Sequence, residues 1–198
     1  MTALILASQS AVRAELLRRA GLDFTTLPAQ IDETSLIASL KAEGADPRNI
    51  ADALAELKAQ RVSNRRSDAF VIGADQLLVC ENAIFEKPGT REAATAQLAA
   101  LSGKTHQLIC AVVIARGGHA QWRHVETARL TMRYLSPEGI ARYLDEAGAA
   151  ALQSVGAYQL EGIGVQLFDR LEGDYFTILG LPLLALLHGL REMGAIEA

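Results

Sequence analysis

Arg13 stands inside the apolar stripe of a helix. In LILASQSAVRAELLRRAG, turning about 100° per residue from Val12, Leu16, Ala20 and Leu17 fall at roughly 40°, 80° and 140°, and Arg13 at about 100°. Lys58 repeats the pattern, lying at about 80° from Ile50, between Leu54 at about 40° and Ala51 at about 100°. A third cation, Lys87, precedes a proline in FEKPGT, in a loop of the kind that presents functional side chains from a rigid scaffold. Buried, unpaired cations are costly, so inward-facing charges on separate elements point to a shared anion. Each also has an ordinary reading: Lys58 can pack its stem and snorkel its ammonium out, and Lys87 can be a plain surface lysine.

Ser8 and Ser10 fall where a strand gives way to a helix, a place where hydroxyls and free backbone N–H groups converge on phosphate. The same hydroxyls serve equally as helix caps, and the two roles are compatible. Acids complete the set. Asp75 follows VIGA at what reads as the end of a buried strand, and Asp32 and Glu33 follow LPAQI. A carboxylate beside several cations can hold a divalent metal or orient a water; the alternative for each is an acid capping a turn.

The elements that must position these groups alternate between strand and helix signals, which predicts a mixed α/β domain. ALILA reads as a buried strand leading into the Arg13 helix, which stops at Gly21. Asp46 with Pro47 opens the Lys58 helix, running to about Val62. AFVIGAD reads as a short strand and LLVCENAIF as a hairpin turning at Glu81 and Asn82. Thr90 caps a helix to about Leu101, and Gly117 and Gly118 join two long strands. Ser136 with Pro137 starts another helix. The last third reads as an alternating VQLFDRL, a strand YFTILG and a final helix from Pro182.

Composition bounds the function. A chain of 198 residues, 50% hydrophobic and 21% charged, holds enough apolar material for one sizeable core, and a single domain over residues 1–198 is expected. The net charge of -4 and the 5% aromatic content argue against a nucleic-acid-binding module or a polybasic membrane surface, so any anion site is local. With no apolar run of about 18 residues and no leader-like opening, a cytoplasmic protein is expected. Cys80 and Cys110 read as buried, inert thiols, and His106, His119, His124 and His188 show no metal-binding spacing.

Together the motifs LASQSAVRAELL, Ile31-Asp32-Glu33, LAELKAQRV, VIGADQ, FEKP, LSGKTHQ, GAYQLEGIG and GDYFTILGLPL resemble, in order and spacing over nearly the whole chain, the Maf family of nucleoside triphosphate pyrophosphatases. That resemblance implies a Maf/ITPase-like fold, a mixed twisted sheet flanked by helices, with two lobes around a central cleft. It implies hydrolysis between the α- and β-phosphates of a nucleoside triphosphate, with Mg2+, Mn2+ or Co2+, by a homodimer. Asp75 is then the catalytic acid-base residue. Arg13, Lys58 and Lys87 bind phosphates with Ser8 and Ser10 beside them, and Glu33 and Asp75 are the metal candidates.

The departures concern the base. Ala11 and Val12 replace the family's usual proline and arginine or tryptophan, removing a stacking partner for a methylated, cationic base. Gln76 and Glu161 resemble the branch acting on 7-methyl-GTP, and a carboxylate at Glu161 suits the N1–H and 2-amino donors of guanine. Glu86 resembles the branch acting on dTTP and UTP, which stays open as the alternative, alongside a nucleotide-binding regulator of cell division that needs no catalysis.

Overall fold

The computed structural model describes residues 3–197. The chain groups into two compact units, one of Met1–Gln76, Cys110–Glu126 and Tyr175–Ala198, the other of Leu77–Ile109 and Thr127–Asp174.

In the first unit, β1 (Leu4–Leu6) pairs in parallel with β2 (Thr25–Thr26) on one side and with β3 (Phe70–Cys80) on the other, Leu4 opposite Phe70 and Leu6 opposite Ile72. Alternation along the strands sends side chains to opposite faces. Leu4, Leu6, Phe70 and Ile72 join one apolar cluster with Ala14 and Leu17 of α1 (Ala11–Arg19) and Leu186 and Leu190 of α8 (Leu183–Glu192). Ile5, Ala7 and Val71 join another with Val62 of α3 (Pro47–Ser63). The capping expectations hold. Ser10 opens α1, Asp32 opens α2 (Glu33–Ala42) by accepting from the Ser35 N–H at 3.1 Å, and Asp46 opens α3 by accepting from the Asn49 N–H at 2.8 Å.

In the second unit, β4 (Ala83–Phe85) folds back antiparallel on the end of β3 through Glu81 and Asn82, whose φ values of 49° and 67° are those of a tight hairpin turn. Thr90 caps α4 (Arg91–Leu101) and Ser136 caps α5 (Pro137–Ala147), followed by α6 (Ala149–Leu152). β5 (Thr105–Arg116) and β6 (His119–Met132) run through both units, and β7 (Phe168–Glu172) lies antiparallel to β6. Among the described residues the strands form a mixed seven-stranded sheet of order β2-β1-β3-β5-β6-β7, with β4 on β3. This is the mixed sheet with helices that the sequence predicts. No helix among the described residues is long and apolar enough to cross a membrane.

Three expectations are corrected. AFVIGAD and LLVC are one strand, so Asp75 lies inside β3 and not at its end; apolar Leu77 and Leu78 carry the strand on, and the charge is tolerated because a cation meets it. VQLFDRL is a strand only from Phe168, its first half belonging to a 3-10 turn, Ile163–Leu167. YFTILG is not a strand: Tyr175–Ile178 forms a single helical turn, α7, between Gly173 at φ 119° and Gly180 at φ 98°. Those two conformations suit glycine.

Candidate functional site

The site in the first unit begins at the β1–α1 junction. Ser8 Oγ accepts from the Ser10 N–H at 3.2 Å, and Ser10 Oγ accepts from the Arg13 N–H at 3.3 Å. Burial of Ala14, Leu16 and Leu17 sets the rotation of α1 and turns Arg13 inward, as its place on the helical wheel requires. The guanidinium does not meet an acid there. Its Nε donates to the Gly180 carbonyl at 2.7 Å, and Nη1 donates to the Ala74 carbonyl at 2.9 Å and to Ser8 Oγ at 3.3 Å. Neutral acceptors fix the fork in place, while Nη2 makes no hydrogen bond among the described residues.

The anionic partner sits one cation away. Lys58, buried on α3, does not snorkel: Nζ donates to Asp75 Oδ1 at 2.6 Å and pairs with Glu33 Oε1 at 2.8 Å. The Asp75 side chain is 6% exposed and that of Glu33 50%, so one end of the triad is dry and the other wet. Burial pushes the Asp75 carboxyl above the usual aspartate range; Lys58 and Arg13 pull it back down, and Glu33 adds to the rise. A carboxylate held in that balance is suited to take a proton.

Gln76, the next residue on β3, points to the other face and donates from Nε2 to the carbonyls of Thr177 at 2.9 Å and Ile178 at 3.1 Å. Arg13 and Gln76 therefore grip the same 177–180 turn. A Cβ built on Gly180 would lie 3.5 Å from Gln76 Oε1 and 3.6 Å from Arg13 Nε. Sequence reasoning missed this turn because its contribution is made of carbonyls; Gly180 was its one visible mark.

Ser8, Ser10, Arg13, Glu33, Lys58, Asp75 and Gln76 thus share the first unit. Lys87 and Glu161 belong to the second. Lys87 is exposed between β4 and α4 and forms no ion pair among the described residues, and Glu161 is exposed just beyond the 3-10 turn Val155–Ala157. Beneath that segment lies a polar contact for which no local signal exists. His106 Nε2 and Tyr158 Oη are 2.7 Å apart and buried, and the Tyr158 ring meets Phe168 edge-on with centroids 4.8 Å apart. Burial pushes His106 down to about 4, so the imidazole is neutral at pH 7, and raises Tyr158. Tyr143 Oη donates to the Ala157 carbonyl at 3.2 Å and ties the same segment to α5.

Among the described residues no three His, Cys, Asp or Glu side chains gather as a metal site. Glu33 and Asp75 offer two hard carboxylates around one point. That set fits a hard ion such as Mg2+, which keeps several waters and takes one or two carboxylates plus substrate phosphate oxygens.

Residues 3–193 match the model of the family described as Maf-like protein. A nucleoside triphosphate pyrophosphatase of Paramagnetospirillum magneticum is 54% identical over 192 residues, covering 97% of this chain and 99% of that protein. Proteins named 7-methyl-GTP pyrophosphatase from Mesorhizobium japonicum and Brucella abortus are 53% and 52% identical over 194 residues, 98% of each chain. A solved HAM1 protein from Coxiella burnetii superposes with a TM-score of 0.40 at 16% identity, over 67% of this chain and 73% of that one, a likeness too loose to argue from. A match over almost all of the sequence, joined to relatives more than half identical from end to end, places the chain in the Maf-like protein family.

Proposed function

We propose that this protein is a nucleoside triphosphate pyrophosphatase that adds water across the α–β phosphate bond, releasing nucleoside monophosphate and pyrophosphate. The observation that carries the reading is the buried Asp75 carboxylate, raised by its burial and held 2.6 Å from Lys58 Nζ in a unit that also directs Arg13 inward. A simple binder of polyphosphate gains nothing from a buried acid that repels its ligand. An enzyme needs one, because phosphoryl transfer asks the protein for positioning, charge neutralisation and an oriented water.

In this reading Asp75 accepts the proton of the attacking water. Arg13 presents Nη2 to a phosphate oxygen, its other donors already spent on fixing the fork, and Ser8 and Ser10 line the same approach. Lys58 and Lys87 neutralise the developing charge. The formal charges of Arg13, Lys58, Glu33 and Asp75 cancel, so these four do not by themselves balance a triphosphate of about four negative charges. Mg2+, Mn2+ or Co2+, held by Glu33 and Asp75, would supply the missing charge and polarise the phosphoryl oxygens.

For the base we favour a 7-methyl-GTP-like nucleotide. Glu161 is an acceptor suited to guanine donors, and the Mesorhizobium japonicum and Brucella abortus relatives carry that name. The same reading takes the protein as a cytoplasmic homodimer, the dimer being measurable by light scattering on a sizing column. The decisive experiment incubates the protein with Mg2+ and a nucleotide panel that includes 7-methyl-GTP, dTTP and UTP, with separate assays for pyrophosphate and orthophosphate. Pyrophosphate release is expected, fastest with 7-methyl-GTP. Orthophosphate alone rejects the reaction, and dTTP or UTP turning over fastest rejects the base assignment. Asp75→Asn should cut turnover by about 10²-fold or more with the fold intact.

A further inference from the structure

Glu33 Oε1 and Asp75 Oδ1 both bond one atom, Lys58 Nζ, at 2.8 and 2.6 Å. Two carboxylate oxygens that reach the same nitrogen are near enough for one small cation to touch both, and here that cation is an ammonium. Its stem is sealed into α3, with the side chain 9% exposed, while Glu33 opens to water on the far side.

The arrangement answers a physical problem. Asp75 is buried, and a buried carboxylate without a partner is costly. Lys58 relieves that cost in the ligand-free chain, yet it does so by occupying the donor atoms a divalent ion needs and by adding a positive charge at contact distance. Resting on the reading above, we infer that Lys58 is a built-in stand-in for the divalent ion: its ammonium holds the place between Glu33 and Asp75 until a nucleotide arrives, and metal enters only as the phosphates draw the ammonium away. Metal binding is therefore weak in the free protein and strong in the presence of substrate. Lys58 then has two successive partners, the carboxylates first and the phosphates afterwards, and both call for a long flexible ammonium where a rigid guanidinium fork would serve one geometry only.

The test reads metal binding in the full chain without nucleotide, by the loss of the free Mn2+ signal in electron paramagnetic resonance. Wild type should leave the signal nearly unaffected at Mn2+ concentrations where Lys58→Met, similar in length and uncharged, binds at least tenfold tighter. The double variant Lys58→Met/Glu33→Gln should lose that gain. Thermal unfolding gives a second readout: Mn2+ should raise the melting temperature of Lys58→Met and leave wild type nearly unmoved, since a ligand stabilises the state that binds it. If Lys58→Met is unfolded without metal, recovery of its circular dichroism on adding Mn2+ supports the inference. Equal Mn2+ affinity in wild type and Lys58→Met, or no stabilisation of the variant by Mn2+, overturns it. A protein that hydrolyses nothing in the nucleotide panel but shows the Lys58→Met gain separates failure of the enzymatic reading from failure of this one.

Discussion

Gly73 lies against the backbone of α3 so closely that a Cβ there would overlap the Ala55 carbonyl oxygen and stand 2.6 Å from the Ala59 nitrogen. Gly73 and Asp75 share one face of β3, and Lys58 sits on α3 between Ala55 and Ala59. The missing side chain at 73 is thus what lets the helix approach close enough for the Lys58–Asp75 bond. Gly73→Ala should destabilise the protein by about 1–3 kcal/mol as the helix is forced outward. It should also depress pyrophosphate release more than the stability loss explains. Urea unfolding at neutral pH and a turnover assay on the folded fraction measure the two effects.

Arg13→Lys keeps the charge and loses the fork. One ammonium cannot serve the Gly180 and Ala74 carbonyls and Ser8 Oγ in the geometry the guanidinium does. At roughly 1 kcal/mol for each lost bond, the variant should be less stable by about 1–3 kcal/mol. Its KM for nucleotide should rise at least about tenfold, the equivalent of 1.4 kcal/mol. Unchanged KM with reduced stability would assign Arg13 to the fold alone.

Gln76→Glu replaces two donors by an acceptor facing the Thr177 and Ile178 carbonyls. Repulsion and lost bonds should cost about 1–3 kcal/mol. Hydrogen exchange should quicken selectively at amides 177–181, while the β1 amides keep their protection.

Acid should weaken the second unit through His106. Its folded value of about 4 lies below the 6.5 of an exposed histidine, so between those values the unfolded chain binds the extra proton. The stability due to neutral His106 is therefore fully present above pH 6.5 and is lost as pH falls toward 4, with a slope of up to about 1.4 kcal/mol per pH unit. Urea midpoints at pH 7 and pH 5 should differ more for wild type than for His106→Gln, which has no proton to gain.

Much of this was legible in residue order. Periodicity placed Arg13 and Lys58 inward, and cap residues opened the helices where Ser10, Asp46, Thr90 and Ser136 stand, because both signals are local. The helical wheel could tell that Arg13 needs a partner but not that the partners are carbonyls from residues 74 and 180, since every residue carries a carbonyl. Asp75 read as a strand end because an acid ordinarily stops a buried strand; Lys58, 17 positions earlier, is what lets the strand continue. The His106–Tyr158 contact spans 52 positions and leaves no pattern at either end.

The helical turn at residues 175–178 runs against its own composition. Tyr, Phe, Thr and Ile favour extended chain, and the segment is kept coiled by its flanking glycines and by the Gln76 amide. Whatever loosens that grip frees the uncharged seven-residue run 175–181, β-prone at its start and with no proline inside it, the sort of stretch from which aggregates nucleate. Heat-induced clumping of this protein should therefore begin there, and a lysine at the half-exposed Tyr175 should delay it.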